Sequence, residues 1–171
     1  MQKESIFRKK IDGTLISEII DSFLEIYDIS NKNLLHIRST DNFADNFDPF
    51  GNHKKKNHLK TVKPRFHGKQ SDPADEIKAL VNLSKKNHFI FADIPWGIRH
   101  HGEKDICLAT LDLLSSEGIG MYLMPGYQRT IESVAGRTFL KSLFEKGYRI
   151  LGVYQLPIDF MHPVTRMQST L

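Results

Sequence analysis

The chain has 171 residues, 40% of them hydrophobic and 26% charged, and its formal net charge is +4. This suits one domain with an ordinary core, and no run of about 18 apolar residues or signal-like N-terminal stretch occurs, so we expect a cytoplasmic protein without a membrane partner. The single Cys107 excludes an intramolecular disulfide and a multi-cysteine zinc site, indicates a reducing compartment, and is expected to be buried filler.

Helix and strand signals alternate along the first half of the chain. Apolar residues at 15–27 form one helical face, beginning after Thr14, and the apolar run at 33–38 predicts a strand. Residues 71–83 predict a second helix, with Asp72 as its N-cap and a proline at the first helical position. Such alternation predicts an α/β domain in which helices connect the strands of one sheet.

The second half of the chain continues this alternation. Gly147 is expected to end the last of its helices, because glycine favours the left-handed backbone found at helix C-termini. The predicted elements are, in order, a buried strand at 88–91, a helix at 104–114, a strand at 118–126, a helix at 133–147 and a strand at 149–157.

A basic segment interrupts this pattern. Residues 51–70 hold seven Lys or Arg and no acidic residue, so the rest of the chain is net negative. Pro64 and the weak apolar periodicity predict an exposed loop inserted in the domain at about 51–71. Two interpretations stay open: a solvated loop, or an arm that contacts nucleic-acid phosphates. The candidate phosphate-binding residues are Lys54, Lys55, Lys56, Lys60, Lys63 and Arg65.

The predicted strand at 88–91 runs into a short string of functional interest, Asp93, Ile94, Pro95 and Trp96. Open α/β sheets bind ligands at the carboxyl ends of their strands. A carboxylate there accepts hydrogen bonds from the exocyclic amine of a base, while an aromatic ring covers the face of that base and proline stiffens the turn between them. The structural alternatives are Trp96 as a core anchor and Asp93 as the cap of the next helix, and four residues alone do not decide.

Four segments together resemble one enzyme family. The string FADIPWG, at 91–97, resembles motif IV of S-adenosylmethionine-dependent amino-methyltransferases: Asn or Asp, then Pro or an aliphatic residue, then Pro, then an aromatic. The segments at 113–126 and 142–171 are similar to the elements that follow this motif in N6-adenine DNA methyltransferases of the type I restriction-modification kind. The segment at 34–43 resembles the family's strand and turn that contact the cofactor's adenine. The resemblance covers about 14–171.

The resemblance implies a Rossmann-like sheet with helices on both faces, and transfer of a methyl group from S-adenosylmethionine to the N6 amine of adenine in DNA. No metal is implied. The implied roles are catalytic for Asp93, Pro95 and Trp96, substrate-binding for Ile94, Gly97, Phe160 and Met161, and cofactor-binding for Asp41 and Phe43.

The chain departs from the family at its N-terminal side. The family's glycine-rich turn after the first strand and acid after the second have no counterpart, and the helix from Thr14 already resembles the one after the second strand. We therefore expect residues 1–171 to form a partial methyltransferase domain, with DNA and either a specificity subunit or the missing cofactor-binding half as partners. The alternative is a non-catalytic methyltransferase-like module that binds nucleic acid or a partner subunit.

Overall fold

The computed structural model describes residues 14–29, 32–37, 50, 59–62, 86–93, 103–125, 131–156 and 169–170. Within these ranges the chain forms an α/β domain. Its helices are α1 (Thr14–Ile26), α2 (Glu103–Leu111) and α3 (Val134–Glu145). Its strands are β1 (Leu34–Ile37), β2 (Leu59–Val62), β3 (Asn87–Asp93), β4 (Leu114–Pro125) and β5 (Ser169–Thr170). The helix predicted at 71–83 lies outside the described residues.

The strands form one sheet in the order β2-β1-β3-β4-β5. Strands β1 to β4 are parallel, and β5 is antiparallel to β4. From β1 the chain goes to β2 on one side and then to β3 on the other, so the strand order reverses between β1 and β3. The predicted α/β class is confirmed, and the parallel four-strand arrangement is compatible with a Rossmann-like fold.

Helices cover both faces of the sheet. All of β1 is buried, and β3 is buried except at His88, as expected for parallel strands with helices on each side. Successive side chains of a strand point to opposite faces, so these two strands contribute to two separate cores. The core on the α1 face includes Ile16, Ile20, Leu24, Leu34, Phe50, Phe89, Phe91 and Met121. The core on the α2 and α3 face includes Leu35, Ile37, Ile90, Ala92, Ile106, Phe139 and Leu143.

Helices α1 and α3 end in the same hydrogen-bonded motif. After α1, the N–H groups of Asp28 and Ile29 donate to the carbonyls of Glu25 and Leu24, at 3.1 and 2.9 Å. After α3, the corresponding donors are Gly147 and Tyr148, whose acceptors lie at 3.0 Å. The residue that turns the chain has a positive φ in each case, 50° at Asp28 and 86° at Gly147, which is the Schellman arrangement. The predicted role of Gly147 is confirmed, one residue beyond the C-cap itself.

Strand β4 starts earlier than the predicted strand at 118–126. Asn87 pairs with Leu114 and Phe89 pairs with Ile119, with an irregular register between them. Between these two pairs, residues 115–118 of β4 therefore lie opposite a single residue of β3, His88. This bulge accommodates the polar residues 115–117, which no apolar pattern marks as strand.

Two predicted segments differ in the structure. Within the interval 51–71, predicted to be a loop, Leu59–Val62 form the edge strand β2, paired in parallel with β1. An edge strand is half in solvent and tolerates lysine, so its short charged sequence resembles a loop. The strand predicted at 149–157 is wrong for 149–154, where the chain forms no strand and Leu151 is 59% exposed. A strand needs a paired neighbour, and within the described residues the outer side of β4 pairs with β5 at Met124 and Pro125 and not with 149–154.

No helix in the described ranges has the length and apolar character that crossing a bilayer requires.

Candidate functional site at the carboxyl end of the sheet

Asp93 is the last residue of β3 and is 4% exposed. It is paired with Leu123 of β4, and the preceding Ala92 is paired with Ile37, the last residue of β1. The carboxylate therefore lies at the carboxyl edge of the sheet, with the end of β1 on one side and β4 on the other. The prediction that Asp93 follows a buried strand is confirmed, and the strand extends two residues past the predicted Phe91.

Aromatic rings fill the face of the sheet next to Asp93. Alternation along β3 places Asp93 on the same face as Phe89 and Phe91, both fully buried. The ring of His36 in β1 lies 5.5 Å from the ring of Phe91 and 5.5 Å from that of Phe50, measured between centroids. A carboxylate on this face has little water around it, so its interactions with a bound polar group are stronger than at an exposed position.

The reversal of strand order lies beside Asp93. In open α/β domains generally, ligands bind outside the carboxyl ends of the strands at such a reversal. The segment after β1 leads to Asp41 and Phe43, and the segment after β3 leads to Pro95 and Trp96. The two segments to which the resemblance assigns the cofactor and the substrate therefore start from neighbouring strand ends at the same edge of the sheet.

Among the residues implicated by the sequence, the structure describes Asp93 and Lys60. Lys60 is exposed on β2 and paired with Leu35 of β1. Strand β2 is two strands from β3, which separates their backbones by about 10 Å across the sheet. Lys60 therefore lies on the edge strand β2, two strands away from Asp93. The other candidates lie outside the described residues: Asp41, Phe43, Lys54, Lys55, Lys56, Lys63, Arg65, Ile94, Pro95, Trp96, Gly97, Phe160 and Met161.

Cys107 is 2% exposed on α2, which confirms the prediction that it is buried. Burial raises the pKa of its thiol, and a hydrogen bond with Tyr122 lowers that pKa by less. Because the thiolate is the nucleophilic form of cysteine and burial disfavours that form, Cys107 is not a candidate catalytic group.

A second feature went unnoticed in the sequence. A cavity of about 470 Å³ lies beside β4, lined mainly by apolar and aromatic side chains, and Asp93 does not line it. Its walls come from all three helices, β4 and the segment 147–154. Such a cavity depends on contacts between elements distant in sequence, which the local pattern of apolar residues does not reveal.

Comparison with known proteins does not identify a family for this chain. No family model, no curated protein and no solved structure matches it. What is established is an α/β sheet whose strand order reverses beside a buried aspartate at the carboxyl end of β3.

Proposed function

We propose that this chain is the substrate-binding part of an S-adenosylmethionine-dependent methyltransferase that modifies the N6 amine of adenine in DNA, in a restriction-modification system. One observation carries the proposal. Asp93, the first residue of the Asp-Ile-Pro-Trp string, is the buried last residue of β3, next to the point where the strand order reverses. A motif residue of this kind has to be in this place to meet a ligand at the edge of an open sheet.

Adenine recognition in this proposal depends on an acceptor beside a stacking ring. An ionised carboxylate accepts hydrogen bonds only, and the N6 amine of adenine donates, so Asp93 matches that amine. Trp96 covers the face of the base after the base leaves the duplex stack, and Pro95 restricts the backbone between the two groups. Held in this way, the amine nitrogen keeps its lone pair directed at the methyl donor, and the protein contributes positioning and electrostatics.

The chain's own share of the cofactor site is at the adenine end. Asp41 and Phe43 follow β1, whose last residue pairs with the residue before Asp93. A carboxylate and an aromatic ring fit the amine and the face of the cofactor's adenine. S-adenosylmethionine, when bound, supplies a methyl group already activated by its sulfonium. The glycine-rich turn and the second acid, which would complete the cofactor site, have no counterpart among residues 1–171, and the complete enzyme is expected to act in the cytoplasm.

The alternative function is a non-catalytic module that binds nucleic acid or a partner subunit. The basic segment that contains the exposed Lys60 favours it. This alternative uses the basic residues and gives Asp93 no contact with a base.

A nucleoside-binding experiment separates the two functions without the partner half. Adenosine carries an amine at position 6, and inosine carries a carbonyl there. The Asp93 carboxylate accepts a hydrogen bond from the amine but repels the carbonyl oxygen. Saturation-transfer NMR on the whole chain should show binding of adenosine and little binding of inosine. The Asp93→Asn variant should lose this preference, since its amide can both donate and accept. Equal signals from both nucleosides, or none from either with a folded chain, would reject the adenine site.

A further inference from the structure

The sheet brings a histidine next to Asp93 on the face toward α1. His36 of β1 is paired in register with Phe91 of β3, and residues paired in register on parallel strands point to the same face of the sheet. Phe91 and Asp93 are two residues apart on one strand, so they also share a face. His36 and Asp93 are therefore diagonal neighbours, and the strand spacing and rise place their Cα atoms about 8 Å apart.

Both of these titratable side chains are removed from water. His36 is 3% exposed and Asp93 is 4% exposed. The imidazole of His36 lies among aromatic rings, with the ring centroids of Phe50 and Phe91 each 5.5 Å from its own. Apolar surroundings screen charges weakly, so a charge on one of the two side chains acts strongly on the other.

Burial opposes the ionised form of Asp93 that adenine recognition requires. A carboxyl group removed from water favours its protonated form, and a protonated carboxyl group offers the amine a weaker acceptor than a carboxylate does. An opposite charge within about 4–6 Å favours the ionised form. The ends of the His36 and Asp93 side chains can approach to this distance from Cα atoms about 8 Å apart.

The groups that pack around His36 on this face favour a protonated imidazole. Helix α1 carries acids and no lysine or arginine. These acids are Asp21, which is partly buried, and Glu18 and Glu25, which are exposed. The residues that β4 contributes to the same core are apolar: Ile119, Met121 and Leu123.

The described lysines near these strands lie elsewhere. Strand β2 places Thr61 opposite His36, and its Lys60 points to the other face of the sheet. Lys32 and Lys86 precede β1 and β3 and so lie at the opposite edge of the sheet from Asp93. Within the described part of the α1 face, His36 is the side chain that can supply a positive charge to Asp93.

We propose that His36 is a positioning residue that acts through Asp93: its imidazolium keeps the Asp93 carboxylate ionised below neutral pH and so preserves the acceptor for the adenine amine. The effect on adenine binding rests on the proposed function, whereas the coupling of the two charges does not. Histidine suits this role because its proton exchanges close to physiological pH. Adenine binding should therefore persist at a more acidic pH than a buried carboxyl group alone would allow.

NMR titration of the histidine side chains of the whole chain, from about pH 4.5 to pH 9, tests the coupling. Imidazole ¹⁵N shifts distinguish the protonated ring from the neutral ring, and His36→Gln identifies the His36 signals among those of the eight histidines. In Asp93→Asn, the midpoint of the His36 titration should fall by about one pH unit, because loss of the negative charge disfavours the imidazolium. His88 is the internal control. It lies near the start of β3 on the opposite face, so its signals should be the same in both proteins.

Adenosine binding gives a second measurement that a purely structural role of His36 would not change. Saturation-transfer NMR from about pH 5 to pH 8 gives the pH at which binding is half lost on acidification. In His36→Gln this pH should rise by about one unit, because Asp93 loses the charge that keeps it ionised. Phe50→Leu is the matched control, since it loosens the same aromatic cluster without removing a titratable group and should leave this pH unchanged.

Three results would overturn the inference. The first is a His36 ring that stays neutral throughout the titration, and the second is an equal His36 midpoint in the wild type and Asp93→Asn. The third is an equal rise in Phe50→Leu and His36→Gln, which would assign the effect to packing. If His36→Gln does not fold, sequential assignment identifies the His36 signals and the comparison with Asp93→Asn still decides. A lowered His36 midpoint in Asp93→Asn, with no adenosine binding by the wild type, would confirm the coupling and reject the adenine site.

Discussion

The hydroxyl oxygens of Thr110 and Tyr122 lie 2.7 Å apart and join α2 to β4 inside the core. The Thr110 hydroxyl also donates to the carbonyl of Cys107 at 2.7 Å. Its single proton is used there, so Tyr122 is the donor in the bond between the two side chains. This bond connects α2, the helix that follows Asp93 along the chain, to β4, which lines the cavity of about 470 Å³.

We predict that Thr110→Val destabilises the chain more than Tyr122→Phe does. Removing the tyrosine hydroxyl loses one hydrogen bond, about 1 kcal/mol of unfolding free energy. Removing the threonine hydroxyl also leaves the buried phenol without its acceptor and should cost about 1–3 kcal/mol. Urea denaturation of both single variants and the double variant measures this. The double variant should lose less than the sum of the two, and simple additivity would contradict the coupling.

We expect stability to fall at alkaline pH because of Cys107. Burial keeps the folded thiol protonated, whereas the unfolded thiol ionises near its ordinary value of 9.0. The stability contributed by this raised pKa is fully present below that pH and is lost as pH rises above it, by about 1.4 kcal/mol per pH unit. Above pH 10.0, the ordinary pKa of tyrosine, Tyr122 adds to the loss, because its pKa in the folded chain is raised well above that value. Burial is the largest cause, followed by the charge of Cys107 and then that of Tyr148.

Urea denaturation from about pH 8 to pH 10 measures this slope. The Cys107→Ala variant is the control, because its loss of packing does not depend on pH. A wild-type slope below pH 10 equal to that of the variant would show that the thiol ionises in the folded chain.

The two helix ends with positive φ give a matched pair of stability predictions. Gly147→Ala should destabilise by about 1 kcal/mol, from backbone strain alone, because an added Cβ meets no atom within 4 Å. Asp28→Gly should stabilise by up to about 1 kcal/mol, because glycine removes the strain of a side chain at positive φ. Thermal denaturation checks both. The control is Glu18→Gly, within α1, which should destabilise by about 1 kcal/mol.

The basic segment should supply nucleic-acid affinity that depends on salt. Replacing Lys54, Lys55 and Lys56 with Gln removes three cations that would release counterions from phosphates. Duplex binding should weaken, and the slope of log affinity against log salt should decrease by about 3. Fluorescence anisotropy at several salt concentrations measures this, with Lys32, Lys141 and Lys146 replaced in the same way as the charge-matched control. An unchanged slope would favour a solvated loop.

In the assembly that contains the cofactor half, substitutions of Asp93 and Trp96 should impair different properties, methyl transfer and binding of the base. Asp93→Ala should lower methyl transfer by about a hundredfold or more, while Asp93→Asn should retain transfer because its carbonyl oxygen still accepts. Trp96→Ala should weaken binding of the extruded base by about 1–3 kcal/mol. Transfer assays and thermal denaturation of all three variants distinguish a role in substrate binding from a role in the hydrophobic core. Unimpaired transfer in Asp93→Ala, with a stability loss of about 3–5 kcal/mol in Trp96→Ala, would place Trp96 in the core instead.

The chain alone should bind S-adenosylmethionine weakly, because its sequence supplies only the contacts at the adenine end, Asp41 and Phe43. Titration calorimetry tests this. Micromolar or tighter binding would show that the cofactor site has been wrongly assigned.

Local sequence predicts the elements that are stabilised locally. The apolar face of α1 and the glycine at the end of α3 are visible in the sequence, and both helices form where predicted. The buried strand β3 is also visible, and with it the place of Asp93 at a strand's end. Elements whose formation depends on pairing with a neighbouring strand are not visible in the local sequence. Among the described residues, strand β2 is paired on one side only and so resembles a basic loop in sequence. The segment 149–154 resembles a strand but has no partner strand in the same part of the chain.

The candidate site shows the same limit. The string that begins at Asp93 can be read directly from the sequence. The reversal between β1 and β3 cannot, because strand order depends on contacts between distant segments. The cavity beside β4 went unpredicted for the same reason, since its walls come from separate helices. The sequence therefore located the candidate aspartate but not the reversal of strand order beside it.

The alternation of β3 also limits how the length of this region can vary. Phe91 and Asp93 share the face toward α1, while Ile90 and Ala92 pack on the other face. Inserting or deleting one residue within 90–92 would place the carboxylate on the α2 face or bury the wrong side chains against α1. Relatives of this chain that use the same aspartate should therefore differ in the lengths of their loops but keep the spacing from Phe89 to Asp93 unchanged.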